Sequence, residues 1–279
     1  MSLTINGHTR FLAHIGFPTH SFKAPLIYNP YFEHAHINAV VVPMSCRPEG
    51  FAGLLQGLRG LDNFAGALIT MPHKVTVLAL LDHLTPTAQI AGACNAVKVV
   101  NGELVGDMFD GEGFVRGLRS KDFSPSGKRA LVVGCGGVGS AIAASLAAAG
   151  VRELQLFDLN AAAASHLAER LNAHYPDLRT VLGQRDPADM DLVVNATPLG
   201  MNPGDPLPVD MSRLQAHSFV GEVVMRAEST AFLTEARARG CRVQVGVDML
   251  FEQIPAYLTF FGLPNTDAAE LRRLARIAY

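Results

Sequence analysis

A glycine cluster near the middle of the chain constrains the fold more strongly than any other feature of the sequence. Residues 134–139 read GCGGVG; they follow an apolar run at residues 130–133 and precede an alanine-rich segment. This order predicts a strand, a GxGxxG turn and a helix, in which glycines let the backbone approach a pyrophosphate and the helix N-terminus offers unpaired N–H groups. An ordinary glycine-rich turn is the alternative, but the strand and helix on either side favour a Rossmann-type dinucleotide site.

A second apolar run brings an acidic residue to the position expected for binding an adenosine ribose. Asp158 closes the predicted strand at residues 153–158 and lies nineteen positions after Gly139, close to the spacing of about 20 that is typical of the ribose-binding acid. A carboxylate there accepts hydrogen bonds from ribose hydroxyls and repels a 2′-phosphate. The next residues, Leu159 and Asn160, include no arginine. We therefore expect NAD rather than NADP, while a cap for the following helix is a structural alternative for Asp158.

Composition and charge argue against several classes of protein. The chain has 279 residues, 49% of them hydrophobic and 17% charged, so a large buried core is available. The net charge is −2 and no run of Lys or Arg occurs, which argues against nucleic-acid or membrane partners. The 4 cysteines lie far apart and the 10 histidines form no HExxH pattern, so no metal site is predicted. The first residues lack the order of a signal peptide, which predicts a cytoplasmic protein.

Alternating strand and helix patterns predict an α/β fold with two domains. Apolar runs at residues 11–17, 39–44 and 67–71 alternate with helical patterns, and a second such series follows a linker-like segment at residues 120–127. We expect an N-terminal α/β substrate domain and a Rossmann-type NAD-binding domain with a cleft between them. The predicted limits are 1–110, completed by C-terminal helices at 248–279, for the substrate domain, and 111–247 for the NAD-binding domain.

Five short segments, in order along the chain, resemble motifs of the shikimate/quinate dehydrogenase family. They are GFP at residues 16–18, ITMPHK at 69–74, AGACNA at 91–96, GDMFDG at 106–111 and NATPLGM at 195–201. The last four are similar to the family patterns VTxPxK, AGAxNT, GxNTDG and NATPxGM. Each motif alone is modest, but the ordered set covers nearly the whole chain. The resemblance implies an NAD(P)-dependent dehydrogenase that acts on a CH–OH group.

The resemblance also implies roles for individual residues. Lys74 and Asp110 match the catalytic pair of the family. The positions that match substrate-binding or supporting residues are Phe22, Ala24, Thr70, Asn95, Phe109, Met225 and Gln253. The positions expected to bind the cofactor are Gly134, Gly136, Gly137, Val138, Gly139, Asp158, Leu159, Asn160, Thr197, Pro198, Val223, Gly246 and Met249. The segment from Asp158 to Asn160 is more similar to the NAD-using branch, because the NADP-using branch carries an Arg there.

The implied chemistry agrees with the properties of these side chains. Reduction of a ketone needs a hydride donor on one face and a proton donor near the carbonyl oxygen. The ammonium group of Lys74 can give that proton and stabilise the developing alkoxide, and a carboxylate such as Asp110 can orient the amine. A salt bridge without a catalytic part is the alternative for an isolated Lys and Asp; the surrounding motifs favour catalysis.

Several positions depart from the family pattern at places expected to face the substrate. The family carries Ser-x-Ser-Pro in its N-terminal segment, where serine hydroxyls hold the substrate carboxylate. Here the two serine positions hold Phe22 and Ala24, with Lys23 between them. Other expected polar positions hold Leu68, Met108, Phe109 and Met225. Because each unmet buried polar group costs roughly 1–3 kcal/mol, we expect a substrate that is less polar or differently anchored. A local bulge that recruits Ser21 is the competing explanation.

Two hypotheses of different classes follow from these observations. The first is an NAD-dependent oxidoreductase of the shikimate/quinate dehydrogenase type, which moves hydride between nicotinamide and a secondary alcohol or ketone of a cyclic hydroxy acid or a less polar analogue. The alternative is a catalytically weak NAD-binding sensor or accessory protein on the same fold, motivated by the apolar replacements. A small-molecule substrate is the expected partner, and we expect a monomer or a homodimer.

Overall fold

The computed structural model describes residues 4–225 and 229–277, and within them the chain forms two compact units. The first unit contains three stretches of chain, 4–89, 93–109 and 254–277. The second contains 90–92 and 110–253. The domain limits expected from the sequence, 1–110 with 248–279 and 111–247, stay a prediction.

Twelve strands and nine helices make up the regular structure of the described residues. The strands are β1 (Arg10–Gly16), β2 (Ala39–Ser45), β3 (Phe64–Ile69), β4 (His83–Leu84), β5 (Ala96–Val100), β6 (Glu103–Asp107), β7 (Arg129–Val133), β8 (Glu153–Phe157), β9 (Arg179–Leu182), β10 (Leu192–Asn195), β11 (Phe219–Glu222) and β12 (Arg242–Gln244). The helices are α1 (Pro25–His34), α2 (Pro48–Arg59), α3 (Pro86–Ala91), α4 (Asp110–Arg119), α5 (Gly137–Ala148), α6 (Ala161–His174), α7 (Ala231–Ala238), α8 (Gly246–Phe260) and α9 (Ala268–Leu274). Short 3-10 turns lie at Thr76–Leu80 and Met211–Arg213.

The first unit is built on a six-stranded mixed sheet in the order β2-β1-β3-β5-β6-β4. β1 pairs in parallel with β2 and β3, whereas β5 is antiparallel to both β3 and β6. Successive side chains of a strand point to opposite faces, and in β1 Ala13 and Ile15 join a buried cluster with Phe51 and Leu55 of α2. The neighbouring residues Leu12, His14 and Gly16 therefore share the other face of the sheet.

The second unit is an all-parallel six-stranded sheet in the order β12-β11-β10-β7-β8-β9. Read from the other edge and numbered within this unit, this is the 3-2-1-4-5-6 order of a doubly wound dinucleotide-binding sheet. The strand order reverses between β7 and β10, and ligands of such sheets bind at the carboxyl ends of the strands beside that reversal. The glycine loop follows β7, and the NATPLGM segment begins at the end of β10. Both motifs therefore lie at the reversal.

The α/β fold class expected from the sequence is confirmed, with local differences. The sequence analysis overlooked the antiparallel hairpin of β5 and β6, although Asn101-Gly102 lies between two apolar runs and is the strongest short hairpin signal. Both turn residues have positive φ, 52° and 82°. The segment after Lys74 forms a short 3-10 turn instead of an α-helix. Among the helices of the described residues, none is long and apolar enough to cross a membrane.

Candidate active site

The carboxyl ends of β1 and β3 bring together Gly16, Phe22 and Thr70 in the first unit. A side chain on Gly16 would overlap all three of its neighbours there, since a Cβ atom would lie 2.4 Å from Thr70 Cγ2, 2.8 Å from the Met71 carbonyl and 2.8 Å from Phe22 Cζ. The Thr70 N–H donates to the Ile15 carbonyl at 2.9 Å. The absence of a side chain at Gly16 therefore lets the Thr70 loop and the Phe22 ring close over the strand ends.

The loop that carries Lys74 is held from two sides. The backbone carbonyl of Lys74 accepts a hydrogen bond from the Cys94 N–H at 2.8 Å. The preceding residue, His73, is buried, stacks on the Phe51 ring at 4.1 Å, and its Nε2 lies 2.8 Å from the Cys46 carbonyl. Lys74 itself is half-buried. The AGACNA and ITMPHK motifs are thus joined through backbone contacts.

Asn95 links the same motif to the segment before α4. Its side-chain oxygen accepts a hydrogen bond from the Phe109 N–H at 3.0 Å, and its backbone carbonyl accepts from the Ile69 N–H at 2.8 Å. The Phe109 ring is buried against Tyr257 and Phe260, with ring centroids 4.9 Å and 5.5 Å away. Asn95 therefore fixes the backbone, and Phe109 lies in an aromatic cluster at a position where a polar side chain was expected.

The two positions at which the family carries serines hold apolar side chains here. One of them, Phe22, contacts His14, a residue that the sequence analysis overlooked. Ala24 is buried, and the half-buried Phe22 ring stacks on the imidazole of His14 with ring centroids 4.0 Å apart. Burial, and then the positive charge of Lys74, lower the pKa of His14 to about 3. A polar residue in the otherwise apolar strand 11–15 was the signal that could have drawn attention to His14.

The glycine loop of the second unit has the geometry of a phosphate-binding turn. Gly134 has φ +102° and its N–H donates to the Phe157 carbonyl at 2.7 Å. A Cβ atom on Gly139 would lie 1.9 Å from the Gly134 carbonyl oxygen, so α5 begins in direct contact with the loop. A Cβ atom on Gly136, in contrast, would meet no described atom within 4 Å. The open approach at Gly136 and the N-terminus of α5 suit the pyrophosphate of a dinucleotide.

Asp158 joins the glycine loop to the turn after β8. Its carboxylate accepts hydrogen bonds from the Cys135 N–H at 2.7 Å and from the Asn160 N–H at 2.8 Å. Asn160, and not Asp158, is the N-cap of α6, because its side chain accepts from the Ala162 N–H at 3.2 Å. The helix-cap alternative for Asp158 is therefore wrong. Leu159 is 92% exposed beside it.

The NATPLGM segment forms a compact turn next to the glycine loop. Asn195 Oδ1 accepts from both the N–H and the hydroxyl of Thr197, at 3.1 Å and 2.6 Å, and its amide donates to the Leu199 carbonyl at 2.9 Å. Gly134 lies against this turn, since a Cβ there would be 2.8 Å from Ala196 backbone atoms. Pro198 is exposed at the tip of the turn.

The remaining predicted residues of the second unit lie on α4, on α8 and after β11. Asp110 is buried at the start of α4, and Gly113 of that helix packs directly on Met249 and Gln253 of α8. Met249 belongs to the buried core. Gln253 Oε1 is buried and has no hydrogen-bond partner among residues 4–225 and 229–277.

Two cofactor-binding candidates lie together in the second unit, and Met225 comes shortly after one of them along the chain. Gly246 packs against the backbone that follows β11, because its Cβ would lie 2.8 Å from the Val223 carbonyl carbon. Val223 and Met225 are both half-buried. In the part of the chain that the structure describes, no group of three or more His, Cys, Asp or Glu could hold a metal ion.

Comparisons with known proteins support the resemblance to the shikimate/quinate dehydrogenase family. The model of the shikimate dehydrogenase substrate binding domain matches residues 15–97, and the model of the ThiF family matches residues 124–174. Shikimate dehydrogenase (NADP(+)) of Desulforamulus reducens is 37% identical over 89% of this chain and 88% of its own length. That of Rubrobacter xylanophilus is 36% identical over 96% of both chains.

The chain belongs to the shikimate dehydrogenase family. It is therefore an NAD(P)-dependent dehydrogenase that acts on a CH–OH group.

Solved structures of this family extend the comparison. Shikimate 5-dehydrogenase from Listeria monocytogenes in complex with shikimate and NAD is 26% identical, with a TM-score of 0.90 over 98% of this chain and 99% of that one. Quinate dehydrogenase from Corynebacterium glutamicum in complex with NAD is 30% identical, with a TM-score of 0.85 over 95% and 98%. The 5-ketofructose reductase of a Gluconobacter species is 26% identical, with a TM-score of 0.87 over 96% and 98%. Shikimate dehydrogenase-like chains thus include proteins named for different substrates.

Proposed function

We propose that this chain is an NAD-dependent dehydrogenase of the shikimate/quinate type in which Lys74 handles the proton and Asp110 is the partner acid. The observation that carries the proposal is the fixed, half-buried position of Lys74, whose backbone is held by Cys94 on one side and by the anchored His73 on the other. A side chain with four rotatable methylenes can deliver a proton reproducibly only when its backbone is fixed in this way.

The proposed reaction transfers a hydride between the nicotinamide and the substrate carbon, and a proton between Lys74 and the substrate oxygen. When bound, the nicotinamide ring supplies or accepts the hydride at C4. In the reducing direction, the Lys74 ammonium gives a proton to the carbonyl oxygen and stabilises the developing alkoxide; in the oxidising direction, the neutral amine takes the hydroxyl proton. Thr70, Asn95 and Gln253 are the polar groups that would orient the substrate. The buried, unpaired Oε1 of Gln253 among the described residues supports such a role.

The preference for NAD rests on the turn after β8. The Asp158 carboxylate would repel a 2′-phosphate, and Leu159 offers no cation at a fully exposed position. The relatives named above are shikimate dehydrogenases (NADP(+)). The preference for NAD is therefore proposed for this chain only, on the basis of Asp158 and Leu159. Arg185 is another cation near this turn that a 2′-phosphate could contact, since its guanidinium lies 5.3 Å from the centre of the Phe157 ring.

The proposed substrate is a cyclic hydroxy acid or a less polar analogue with a secondary alcohol or ketone. Shikimate and quinate are the compounds named in the related structures, and 5-ketofructose, a neutral keto sugar, is named in another. The apolar side chains at Phe22 and Ala24 favour the less polar end of this range. A sensor or accessory role is not favoured, because relatives that match nearly the whole chain are dehydrogenases.

The proposal is tested by steady-state turnover, followed by absorbance of the reduced nicotinamide. Shikimate and quinate are oxidised with NAD or NADP, and 5-ketofructose is reduced with NADH or NADPH. We expect turnover with the NAD/NADH couple, and a loss of about 10²–10⁴-fold in kcat for Lys74→Ala, the range that general acid–base groups contribute. Lys128→Ala is the matched control, because Lys128 forms a partly exposed ion pair with Asp191. Full turnover by Lys74→Ala on an accepted substrate would refute the assigned mechanism.

A further inference from the structure

One ring nitrogen of a buried histidine in the first unit lacks a hydrogen-bond partner among the described residues. His14 lies in β1 between apolar residues and is only 9% exposed. Its Nδ1 atom is buried and has no hydrogen-bond partner among the residues that the structure describes. Buried polar atoms of native proteins are almost always paired, so an unpaired one requires an explanation. An apolar side chain would pack at this position without that cost, which points to a ligand that supplies the missing partner.

The surroundings of His14 combine features that a functional site would need. The register pairs His14 with Leu68 of β3, on the face of the sheet that Gly16 shares. The Phe22 ring covers the imidazole and extends to Gly16 and Thr70. The charge of Lys74 is a cause of the lowered pKa of His14, second to burial, so the proposed proton donor is close enough to act on the imidazole. The unpaired nitrogen therefore lies within range of the Lys74 charge, on a residue two positions before the end of β1.

The chemistry of these side chains selects an uncharged ligand group. The pKa of His14 is lowered to about 3 by burial and by Lys74, so the imidazole is neutral at physiological pH and offers one N–H and one lone pair. A neutral imidazole pairs well with a hydroxyl, which both donates and accepts. A buried carboxylate would need several donors, whereas the neutral imidazole offers at most one N–H and the proposed mechanism assigns the charge of Lys74 to the reacting oxygen.

We propose that His14 is a specificity-determining residue that binds a hydroxyl of an uncharged polyhydroxy ketone or alcohol. In the family pattern, serine hydroxyls at the positions of Phe22 and Ala24 would bind a carboxylate instead. This inference rests on the proposed function and names its substrate class as neutral. Because Nδ1 is buried and the Phe22 ring stacks on the imidazole, this binding requires the Phe22 side chain to move.

The first test separates binding from folding with two substitutions of His14. With 5-ketofructose and NADH as the probe pair, His14→Leu is expected to raise KM for the sugar by about 10–100-fold, with kcat changed less than about threefold. His14→Asn, which returns a polar atom near the Nδ1 position, is expected to recover most of that loss. The thermal midpoint of His14→Leu stays equal or rises, because the variant loses an unpaired buried polar group.

Ile15→Val is the matched control on the opposite face of β1, where it lowers the thermal midpoint and leaves KM unchanged. A purely structural His14 would give the same pattern as this control, and that result would overturn the proposal while leaving the dehydrogenase function intact. The same conclusion follows if the unmodified protein turns over shikimate or quinate at least as efficiently as 5-ketofructose.

The second test reverses the selectivity. The double variant Phe22→Ser with Ala24→Ser supplies two hydroxyls, and we expect its ratio of kcat/KM for shikimate over 5-ketofructose to rise by about 10-fold or more. An unchanged ratio would contradict the assignment of these side chains to substrate selection. Absence of turnover by the unmodified protein on all three compounds, with either cofactor, would instead remove the proposed function itself and this inference with it.

Discussion

Glu222, at the end of β11, is a buried carboxyl group that keeps its proton unusually tightly. It is 1% exposed; one oxygen accepts the Thr230 hydroxyl at 2.8 Å, and the other has no partner in residues 4–225 and 229–277. Burial raises the pKa of Glu222 to about 7, against an ordinary value of 4.5, while the Thr230 hydrogen bond lowers it in part. The folded protein thus binds this proton more tightly than the unfolded chain does.

The raised pKa of Glu222 predicts a loss of stability as the pH rises. Below about pH 4.5 both states hold the proton, so the group contributes no difference; between 4.5 and about 7 the unfolded chain releases it first, and the free energy of unfolding falls by about 1–3 kcal/mol. Glu222→Gln should remove this contribution, whereas His14, whose pKa is lowered to about 3, contributes a rise over the same pH interval in both proteins. Urea unfolding at pH 5 and pH 8 measures it, with the partly exposed Glu235→Gln as control. Equal pH dependence in the unmodified protein and in Glu222→Gln would contradict the prediction.

The proposed preference for NAD can be tested at one exposed side chain in the turn after β8. Leu159→Arg adds a cation beside the expected position of a 2′-phosphate, without disturbing packing, because Leu159 is 92% exposed. We expect KM for NADP to fall by about 10-fold or more, since an arginine–phosphate pair is a strong charge-assisted contact. Leu182→Arg, 42% exposed on β9, is the control for added charge alone.

Preference of the unmodified protein for NADP would overturn the NAD assignment. In that case Arg185→Ala identifies the responsible cation: a selective loss of NADP affinity would assign the 2′-phosphate contact to Arg185, which lies beside Phe157.

At the scale of elements, the loop between β7 and α5 uses two glycines for different reasons. Gly139 is required by the fold, because any side chain there would collide with the Gly134 carbonyl, whereas Gly136 has open space among the described residues. Sequence alone treats both as members of one GxGxxG pattern. The backbone geometry separates the glycine that folds the loop from the glycine that leaves room for a ligand.

This separation predicts opposite behaviour for two alanine variants. Gly139→Ala should destabilise the protein by at least about 2 kcal/mol, since overpacking a tight contact costs roughly 1–3 kcal/mol and the overlap is with rigid backbone. Gly136→Ala should change stability by less than about 1 kcal/mol and raise the dissociation constant for NAD by about 10-fold or more. Calorimetric unfolding and NAD titration measure the two effects. Wild-type NAD affinity in a folded Gly136→Ala would argue against pyrophosphate binding at this turn.

At the scale of the whole chain, the C-terminal segment is part of the N-terminal unit. The Arg276 N–H donates to the Leu26 carbonyl at 2.9 Å, its guanidinium pairs with Glu33 at 2.7 Å, and the Tyr31 hydroxyl donates to the Pro264 carbonyl at 2.8 Å. Leu271 of α9 is fully buried. The first unit is therefore completed only after the second unit has been synthesised.

Removing the buried side chain of α9 should weaken the first unit. Leu271→Ala is expected to cost about 2–5 kcal/mol, the range for truncating a buried leucine. Arg273→Ala, which removes an ion pair with Glu270 on the exposed side of the same helix, should cost less than about 1 kcal/mol. Calorimetric unfolding of both variants measures the difference. Equal, small losses would show that α9 adds little to the stability of the unit.

The α/β class, the position of the glycine loop and the family of the chain could all be predicted from the sequence. These features depend on local order: an apolar strand, a glycine turn and a helix follow one another within a short stretch, and short motifs keep their order whatever their contacts. The antiparallel hairpin was also within reach, since Asn101-Gly102 marks it. Its two strands have only five residues each and no helix lies between them, so they break the alternation of strands and helices that is typical of the rest of the chain.

Contacts between residues that are distant in sequence could not be predicted, because they depend on strand register and on how loops fold over the strands. Strand register sets His14 beside Leu68, and the loop before α1 folds Phe22 over both His14 and Gly16. Neither the burial of the His14 nitrogen nor the raised pKa of Glu222 is visible in a sequence, because both depend on which atoms exclude water from the group. Local pattern is therefore enough to predict a glycine loop after a strand, whereas the surroundings of the proposed substrate site depend on side-chain packing across strands.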